Sequence, residues 1–128
     1  MPTATSATAS QRRALVAASS MIGDDVRNLQ GEDIGHIKEL MIDLRSGRIA
    51  YAVLSFGGIL GLGDRLFAVP WSALRFNQEE KVFLLDAIKE RLEKAPGFDK
   101  DHWPNMTDAT WSDAVDRYYG VSVQRYDG

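Results

Sequence analysis

The fold is decided by one continuous stretch, residues 31–58, which reads GEDIGHIKELMIDLRSGRIAYAVLSFGG. Its first half alternates apolar and polar residues most clearly over residues 40–44, the period-two pattern of a strand with one buried face. Its second half, residues 48–56, is almost continuously apolar, which indicates a strand buried on both sides or covered by another element. Residues 45–47 between them predict a three-residue hairpin loop, in which Gly47 can take a positive φ.

The apolar positions of the first strand, predicted over residues 33–44, do not keep one register. Ile34 and Ile37 are three residues apart, whereas the later apolar residues alternate strictly. A β-bulge near Gly35 reconciles the two registers, because a bulge adds one residue to one strand only. We therefore predict an irregular first strand followed by a regular hairpin.

Shorter strand-like runs flank this hairpin. Pro70 ends one of them because it cannot donate to a strand ladder, and residues 71–74 predict a single helical turn. The remaining predicted strands are 25–29, 65–69, 75–77 and 81–85. Six short strands separated by turns predict a mainly β chain, a small six-stranded antiparallel barrel or sandwich.

The last third of the chain has helical rather than strand periodicity. Asp86 is a candidate cap for a helix over residues 87–94, and Thr110 for a helix over residues 111–119 that ends at Gly120. We expect the chain to divide into a disordered or loosely ordered tail (1–18), a β-barrel (19–86) and a helical appendage with its own tail (87–128).

Composition excludes several classes of function. The chain of 128 residues has a net charge of −3 and no cysteine. Disulfides, zinc–thiolate sites and thiol nucleophiles are therefore excluded. The acidic balance argues against sequence-independent nucleic-acid binding, which needs a basic face. The first ten residues lack the charged and apolar regions of a secretory signal, and no apolar run approaches the roughly 20 residues that span a bilayer. We expect a cytoplasmic protein with no membrane span.

The order and spacing of four short pieces resemble the PRC-barrel family, whose name comes from the H subunit of photosynthetic reaction centres. The pieces are Gly35-x-Ile37-x-x-Leu40-x-Ile42-Asp43, Ser46-Gly47-Arg48-Ile49, Ser55-Phe56-Gly57-Gly58 and Val69-Pro70-Trp71. The resemblance covers residues 21–86. Stand-alone bacterial members often carry a Tyr-Tyr-Gly near the end, here residues 118–120.

The resemblance implies a six-stranded barrel that docks onto partners and has no catalytic residues. No transmembrane helix precedes the barrel in this sequence, so a reaction-centre subunit is not expected. No second β-domain precedes it either, so the ribosome-maturation role of another family member is not supported. A ribosome- or RNA-assembly accessory remains a second alternative by family analogy alone.

The two histidines are weak candidates for chemistry. His36 alternates with Ile37 in the predicted strand and should face solvent, with metal binding beside Asp33 or Glu32 as the less favoured reading. His102 follows Asp99 and Asp101, which could supply metal ligands, but the glycine and final glutamate of a calcium loop are missing. We expect no metal site.

The glycine-rich segment 57–63 does not fit a phosphate-binding loop, because no Lys-Ser/Thr follows and the next element is a strand. Ser72 is not in a Gly-x-Ser-x-Gly elbow. We therefore expect no catalytic residue, no cofactor site and no enzyme activity.

The same glycine-rich segment contains three large aliphatic residues, Ile59, Leu60 and Leu62. Large aliphatic side chains in a short loop gain free energy by burial against another surface. We assign them, with Trp71, to an interface in a homo-oligomer or with another protein. The alternative is that they cover the open end of their own barrel. The function expected is a self-associating, non-catalytic interaction or assembly module, with a small-ligand- or metal-binding barrel as the first alternative.

Overall fold

The computed structural model of the chain describes residues 15–57 and 64–121. Six strands and three short helices account for most of the described chain. The helices are α1 (Ala18–Met21), α2 (Lys89–Glu93) and α3 (Ala109–Tyr118). The strands are β1 (Asp25–Arg27), β2 (Asp33–Asp43), β3 (Arg48–Gly57), β4 (Asp64–Pro70), β5 (Leu74–Asn77) and β6 (Val82–Leu85). The mainly β prediction with short C-terminal helices is confirmed.

The six strands form one sheet in the order β4-β3-β2-β1-β6-β5. The prediction of an antiparallel sheet is only partly right, because β1 and β6 pair in parallel while the other four pairs are antiparallel. These directions require β4 and β5 to run the same way. The single 3₁₀ turn Trp71–Ala73 between them therefore carries the chain onward without reversing it. Because β4 and β5 end the strand order and only three residues join them, the sheet curls.

The bulge predicted near Gly35 is present. Asp25 pairs with His36 and Arg27 with Asp33, so β2 advances three residues where β1 advances two. Gly35 has a φ of +123°, and a Cβ placed on it would lie 2.4 Å from the carbonyl oxygen of Ser55. Only glycine combines that backbone conformation with so close an approach of β3. The turn between β2 and β3 is one residue longer than predicted, because β2 ends at Asp43 and residues 44–47 form the turn, but Gly47 does have a positive φ, of +74°.

Strand β3 is buried on both faces, as its continuous apolar sequence predicted. Residues 51–55 are all buried. The inner face contributes Ala52 and Leu54 to the main core of the curled sheet, which Phe67, Phe83 and other apolar side chains complete. The outer face contributes Tyr51 to a second apolar cluster beneath α3. The members of this cluster are Tyr51, Ala68, Val115, Met41, Ala50, Phe98, Met106, Trp111 and Tyr119.

The helix starts predicted for the C-terminal third are wrong. Helix α2 begins at Lys89 after Ile88, with no side-chain cap, and Asp86 does not cap it. The cause is tertiary, since Ala87 is buried in the main core and its amide bonds back to the Leu85 carbonyl oxygen at 2.9 Å, which keeps the chain out of the helix there.

Helix α3 begins two residues earlier than predicted. Asp108, rather than Thr110, is the N-cap, and its carboxylate accepts a hydrogen bond of 2.9 Å from the Thr110 amide. The predicted C-terminal glycine is confirmed, because Gly120 has a φ of +72°. None of the helices in the described ranges is long and apolar enough to cross a membrane.

Candidate interaction surface

Of the four residues predicted to form an interface, the structure describes one. Ile59, Leu60 and Leu62 lie outside the described residues. Trp71 opens the 3₁₀ turn between the two end strands of the sheet, and its half-buried indole packs against the main core. The described part of the predicted interface is therefore the place where the two ends of the curled sheet approach each other.

Trp71 belongs to a row of three aromatic rings. Its centroid lies 5.7 Å from that of Phe83, and the Phe83 centroid lies 4.9 Å from that of Phe76, both pairs with tilted planes. Tilted rings at these separations attract one another beyond the area they bury. We call Trp71, Phe83 and Phe76 the aromatic row. The central ring is the most buried, because Phe83 is 2% exposed whereas Trp71 is half-buried and Phe76 is 44% exposed.

The sequence interpretation did not identify Phe76 as a surface residue, although its pattern contained a signal. Leu74 and Phe76 alternate with Arg75 and Asn77, so their side chains belong to the core face of β5. A core-facing aromatic is half-exposed here because β5 is the last strand of the sheet and no described strand lies beyond it to cover the ring. That end position is a property of the strand order alone.

The outer edge of β5, which we call the β5 edge, is open in the described ranges. All four of its residues pair with β6 on one side, and no described strand lies on the other. The opposite end of the sheet differs, since Leu66 of β4 exchanges two backbone hydrogen bonds with Phe98, each 2.8 Å long. An unpaired strand edge presents backbone donors and acceptors that another strand can satisfy.

Two exposed charges of opposite sign lie beside the β5 edge. Arg75 is in the strand, and Glu79 is in the turn that follows. Asn77 shapes this turn, because its side-chain oxygen accepts hydrogen bonds from the amides of Glu79 and Glu80 at 3.0 and 3.1 Å. The ion pairs found among the described residues join Arg27 to Glu80 and His102 to Asp99, so Arg75 and Glu79 take part in neither.

His36 lies at the wall of a groove of about 440 Å³ rather than on open surface. The side chains lining this groove are mostly charged, and include Asp25, Asp33, Lys89 and Glu93. In the residues the structure describes, no three His, Cys, Asp or Glu side chains are grouped so as to hold a metal ion. This groove bears on the ligand-binding alternative.

His102 makes a local contact in an exposed turn. Its Nδ1 lies 2.7 Å from a carboxylate oxygen of Asp99, which also accepts a hydrogen bond from the Asp101 amide. The hydrogen bond from His102 is the main cause that lowers the pKa of Asp99. The turn supports Trp103, whose ring lies 5.1 Å from that of Phe98. Asp99, His102 and Trp103 therefore have a structural explanation, as parts of the segment that packs against β4.

Ser72 and Tyr119 are among the residues that line a second groove, of about 300 Å³. The Tyr119 hydroxyl is buried and finds no hydrogen-bond partner among the described residues. Burial raises the pKa of this phenol, because the phenolate would lose its hydration.

Comparison with known proteins identifies one family. A family model described as the PRC-barrel domain matches residues 14–92, more than half of the chain. The match includes all six strands and ends inside α2, so α3 and the segment before it lie beyond the matched region. No curated protein matches the sequence.

Proposed function

The chain belongs to the PRC-barrel domain family, and from that premise we propose that it is a non-catalytic interaction and assembly module that associates with itself. The observation that carries the proposal is the open β5 edge beside the half-exposed Phe76. Unpaired strand edges add strands from other chains, and exposed aromatic rings are the side chains that most often anchor protein interfaces. The proposal includes a cytoplasmic location, which cell fractionation with immunodetection tests.

The predicted interface residues fit the same proposal. Trp71 is the half-buried ring at one end of the aromatic row, and Ile59, Leu60 and Leu62 lie in the segment that joins β3 to β4. Each large aliphatic side chain gains roughly 1.5–3 kcal/mol when it is transferred from water to an apolar interface. A contact between copies would supply that burial.

Sedimentation velocity over a hundredfold range of protein concentration tests the proposal. We expect a mass that rises with concentration, and a double variant Ile59→Ser/Leu60→Ser that stays monomeric while its melting temperature is nearly unchanged. A wild-type chain that is monomeric throughout, together with a double variant that unfolds, would mean that the three aliphatic residues cover their own barrel.

A ligand-binding barrel is the second candidate, favoured by the groove beside His36. Its volume of about 440 Å³ falls within the usual range of small-molecule sites. The charged side chains Asp25, Asp33, Lys89 and Glu93 in its lining favour a ligand with polar groups. Native mass spectrometry of the freshly purified protein separates the two functions, because a retained ligand adds a fixed mass to the monomer and self-association doubles it.

A further inference from the structure

The end of the β2–β3 hairpin, residues 42–49, extends beyond the neighbouring strands, and we call it the hairpin tip. Its residues pair only with each other, because β1 pairs with β2 no further than His36 and β4 pairs with β3 no further than Tyr51. Two large aliphatic side chains of the tip lie largely in water, with Ile42 51% and Leu44 92% exposed. Such side chains gain free energy by burial against another surface.

The hairpin tip is also basic and locally ordered. Arg45 and Arg48 are exposed and take part in neither of the ion pairs found among the described residues. The turn is held by its own hydrogen bonds, from the Arg45 amide to the Asp43 carboxylate at 2.9 Å and from the Gly47 amide to the Asp43 carbonyl oxygen at 2.8 Å. Because the turn is already ordered, binding through it costs little conformational entropy.

The groove of about 440 Å³ is complementary to this tip in charge, and we call it the acidic groove. Its lining contains three carboxylates, of Asp25, Asp33 and Glu93, and one ammonium, of Lys89. The ammonium lies over the half-buried Phe56 ring, 5.8 Å from its centroid. The three carboxylates take part in none of the ion pairs found within residues 15–57 and 64–121. Acidic groups beside an aromatic ring suit a basic segment that carries an aliphatic side chain.

We propose that the hairpin tip of one copy of the chain binds in the acidic groove of another. Leu44 then packs against Phe56, and Arg45 and Arg48 lie near the groove carboxylates. This inference rests on the proposed self-association and gives it a contact separate from the β5 edge.

The positions of the two surfaces determine how the contact repeats. A two-fold contact between two tips is disfavoured, because it would place their arginines together. The tip and the groove lie at opposite ends of the hairpin, since His36 at the groove and Asp43 at the tip are separated by roughly 20 Å of extended strand. One copy therefore cannot fill its own groove, and successive copies bind head to tail.

Charge reversal on either side tests the contact. The tip variant Arg45→Glu/Arg48→Glu and the groove variant Asp25→Lys/Glu93→Lys each bring like charges together. We expect each variant alone to associate at least roughly tenfold more weakly than wild type. An equimolar mixture should regain association, because the acidic tip then meets a basic groove and the basic tip an acidic one. Sedimentation velocity measures these masses, at high protein concentration because one tip buries less surface than a standard interface.

Two further variants control for charge and test the aliphatic contact. Lys100→Glu/Arg117→Glu makes the same charge change as the tip variant at exposed residues outside the tip and the groove, and should associate like wild type. Leu44→Ser should weaken association roughly tenfold. Its melting temperature should be unchanged, because the Leu44 side chain is 92% exposed in the monomer.

Mixing experiments also separate a head-to-tail contact from a two-fold one. The tip variant keeps its acidic groove, so it accepts a wild-type tip but adds no further copy through its own. An excess of the tip variant should therefore reduce wild-type assemblies to dimers. A two-fold contact between tips would instead exclude the variant and leave the mass of wild-type assemblies unchanged, which would overturn the inference.

The outcomes distinguish this inference from the proposed function. Assemblies that resist the tip and groove variants but are dissociated by Ile59→Ser/Leu60→Ser would overturn the contact between tip and groove and leave self-association standing. A wild-type chain that remains monomeric would overturn both. If that monomer sediments with vesicles of phosphatidylserine and phosphatidylcholine, and the tip variant does not, the hairpin tip binds an anionic lipid surface rather than a second copy.

Discussion

The two ends of the sheet differ in how far the rest of the described chain covers them. At the β4 end, the segment after α2 adds a backbone bridge from Phe98 to Leu66, and α3 packs over the outer face through Val115 and Trp111. At the β5 end, the described chain adds nothing, and Phe76 stays half-exposed. Proteins usually protect strand edges against unwanted pairing. Among the described residues, only the β4 edge is protected in this way.

The segment that packs against β4, which we call the cover and which includes Phe98, Trp111 and Val115, lies outside the residues that the family model matches. Residues 14–92 contain the whole sheet, whereas Phe98, Trp111 and Val115 follow it. The cover is attached closely, because a Cβ on Gly97 would lie 2.8 Å from the Phe67 ring and 2.9 Å from the Leu66 carbonyl oxygen. It is also anchored to α2, where the Arg91 guanidinium lies over the Tyr118 ring with 4.2 Å to the centroid.

The largest effect on the free energy of unfolding is expected in the aromatic row, where a buried and an exposed ring can be compared. Phe83→Ala removes a ring that is 2% exposed and contacts both other rings, so we expect the free energy of unfolding to fall by about 3–5 kcal/mol. Phe76→Ala, its cross-strand neighbour, should cost less than about 1.5 kcal/mol in the monomer, since much of that ring is already in water. Urea unfolding at a concentration that keeps the chain monomeric measures both, and equal losses would show that the β5 end is not open.

Gly97→Ala tests how tightly the cover holds β4. The added methyl cannot be placed without displacing either the Phe67 ring or the Leu66–Phe98 bridge, and we expect a loss of about 1–3 kcal/mol. Hydrogen exchange at the Leu66 amide should accelerate while the amides of β5 keep their rates. Gly47→Ala is the control, because its φ of +74° makes alanine costly but no atom lies within 4 Å of the added methyl. Unchanged exchange at Leu66 would mean that the bridge does not depend on Gly97.

Tyr118 and Tyr119 test how the cover is attached to α2, and smaller changes in the free energy of unfolding are expected for them. Tyr118 donates its hydroxyl hydrogen to the Arg91 carbonyl oxygen, so Tyr118→Phe should cost about 0.5–1.5 kcal/mol. Tyr119→Phe should be neutral or stabilising, because the Tyr119 hydroxyl is buried without a hydrogen-bond partner in the described structure. Thermal unfolding of the two variants, side by side, tests whether the link between α2 and α3 depends on Tyr118, and the opposite ranking would refute it.

The smallest effect is expected at the exposed turn before Trp103. Because the His102 hydrogen bond lowers the pKa of Asp99 below its usual 3.8, the contribution of Asp99 to stability is present above that pH. It is lost as the pH falls through the lowered value. The effect is small, since both side chains are in water. NMR titration of the Asp99 carboxyl carbon should show the lowered pKa, and His102→Ala should return it towards the usual value. A titration that His102→Ala leaves unchanged would assign the shift to the backbone amides instead.

Local pattern alone determined much of the fold. Alternation over residues 40–44 and the positive φ available to Gly47 were enough to predict the β2–β3 hairpin, and the continuous apolar run of β3 was enough to predict burial on both faces. The buried face that the alternation predicted is not maintained, because the register shifts between Met41 and Ile42 and leaves Ile42 51% and Leu44 92% exposed. The bulge at Gly35 followed from a three-residue gap between apolar positions. Each of these properties depends on residues that are close together in the chain, so the spacing of those residues in the sequence is enough to predict the property.

The tertiary structure decided what depends on distant residues. Alternation does not encode strand direction, so the parallel pairing of β1 with β6 and the onward path through Trp71–Ala73 emerged only when the strands were assembled. Burial of Ala87 in the core moved the start of α2, and contact with β4 requires glycine at position 97. The exposure of Phe76 has the same origin: its sequence pattern assigns it to the core face, and only the position of β5 at the end of the sheet leaves that face uncovered.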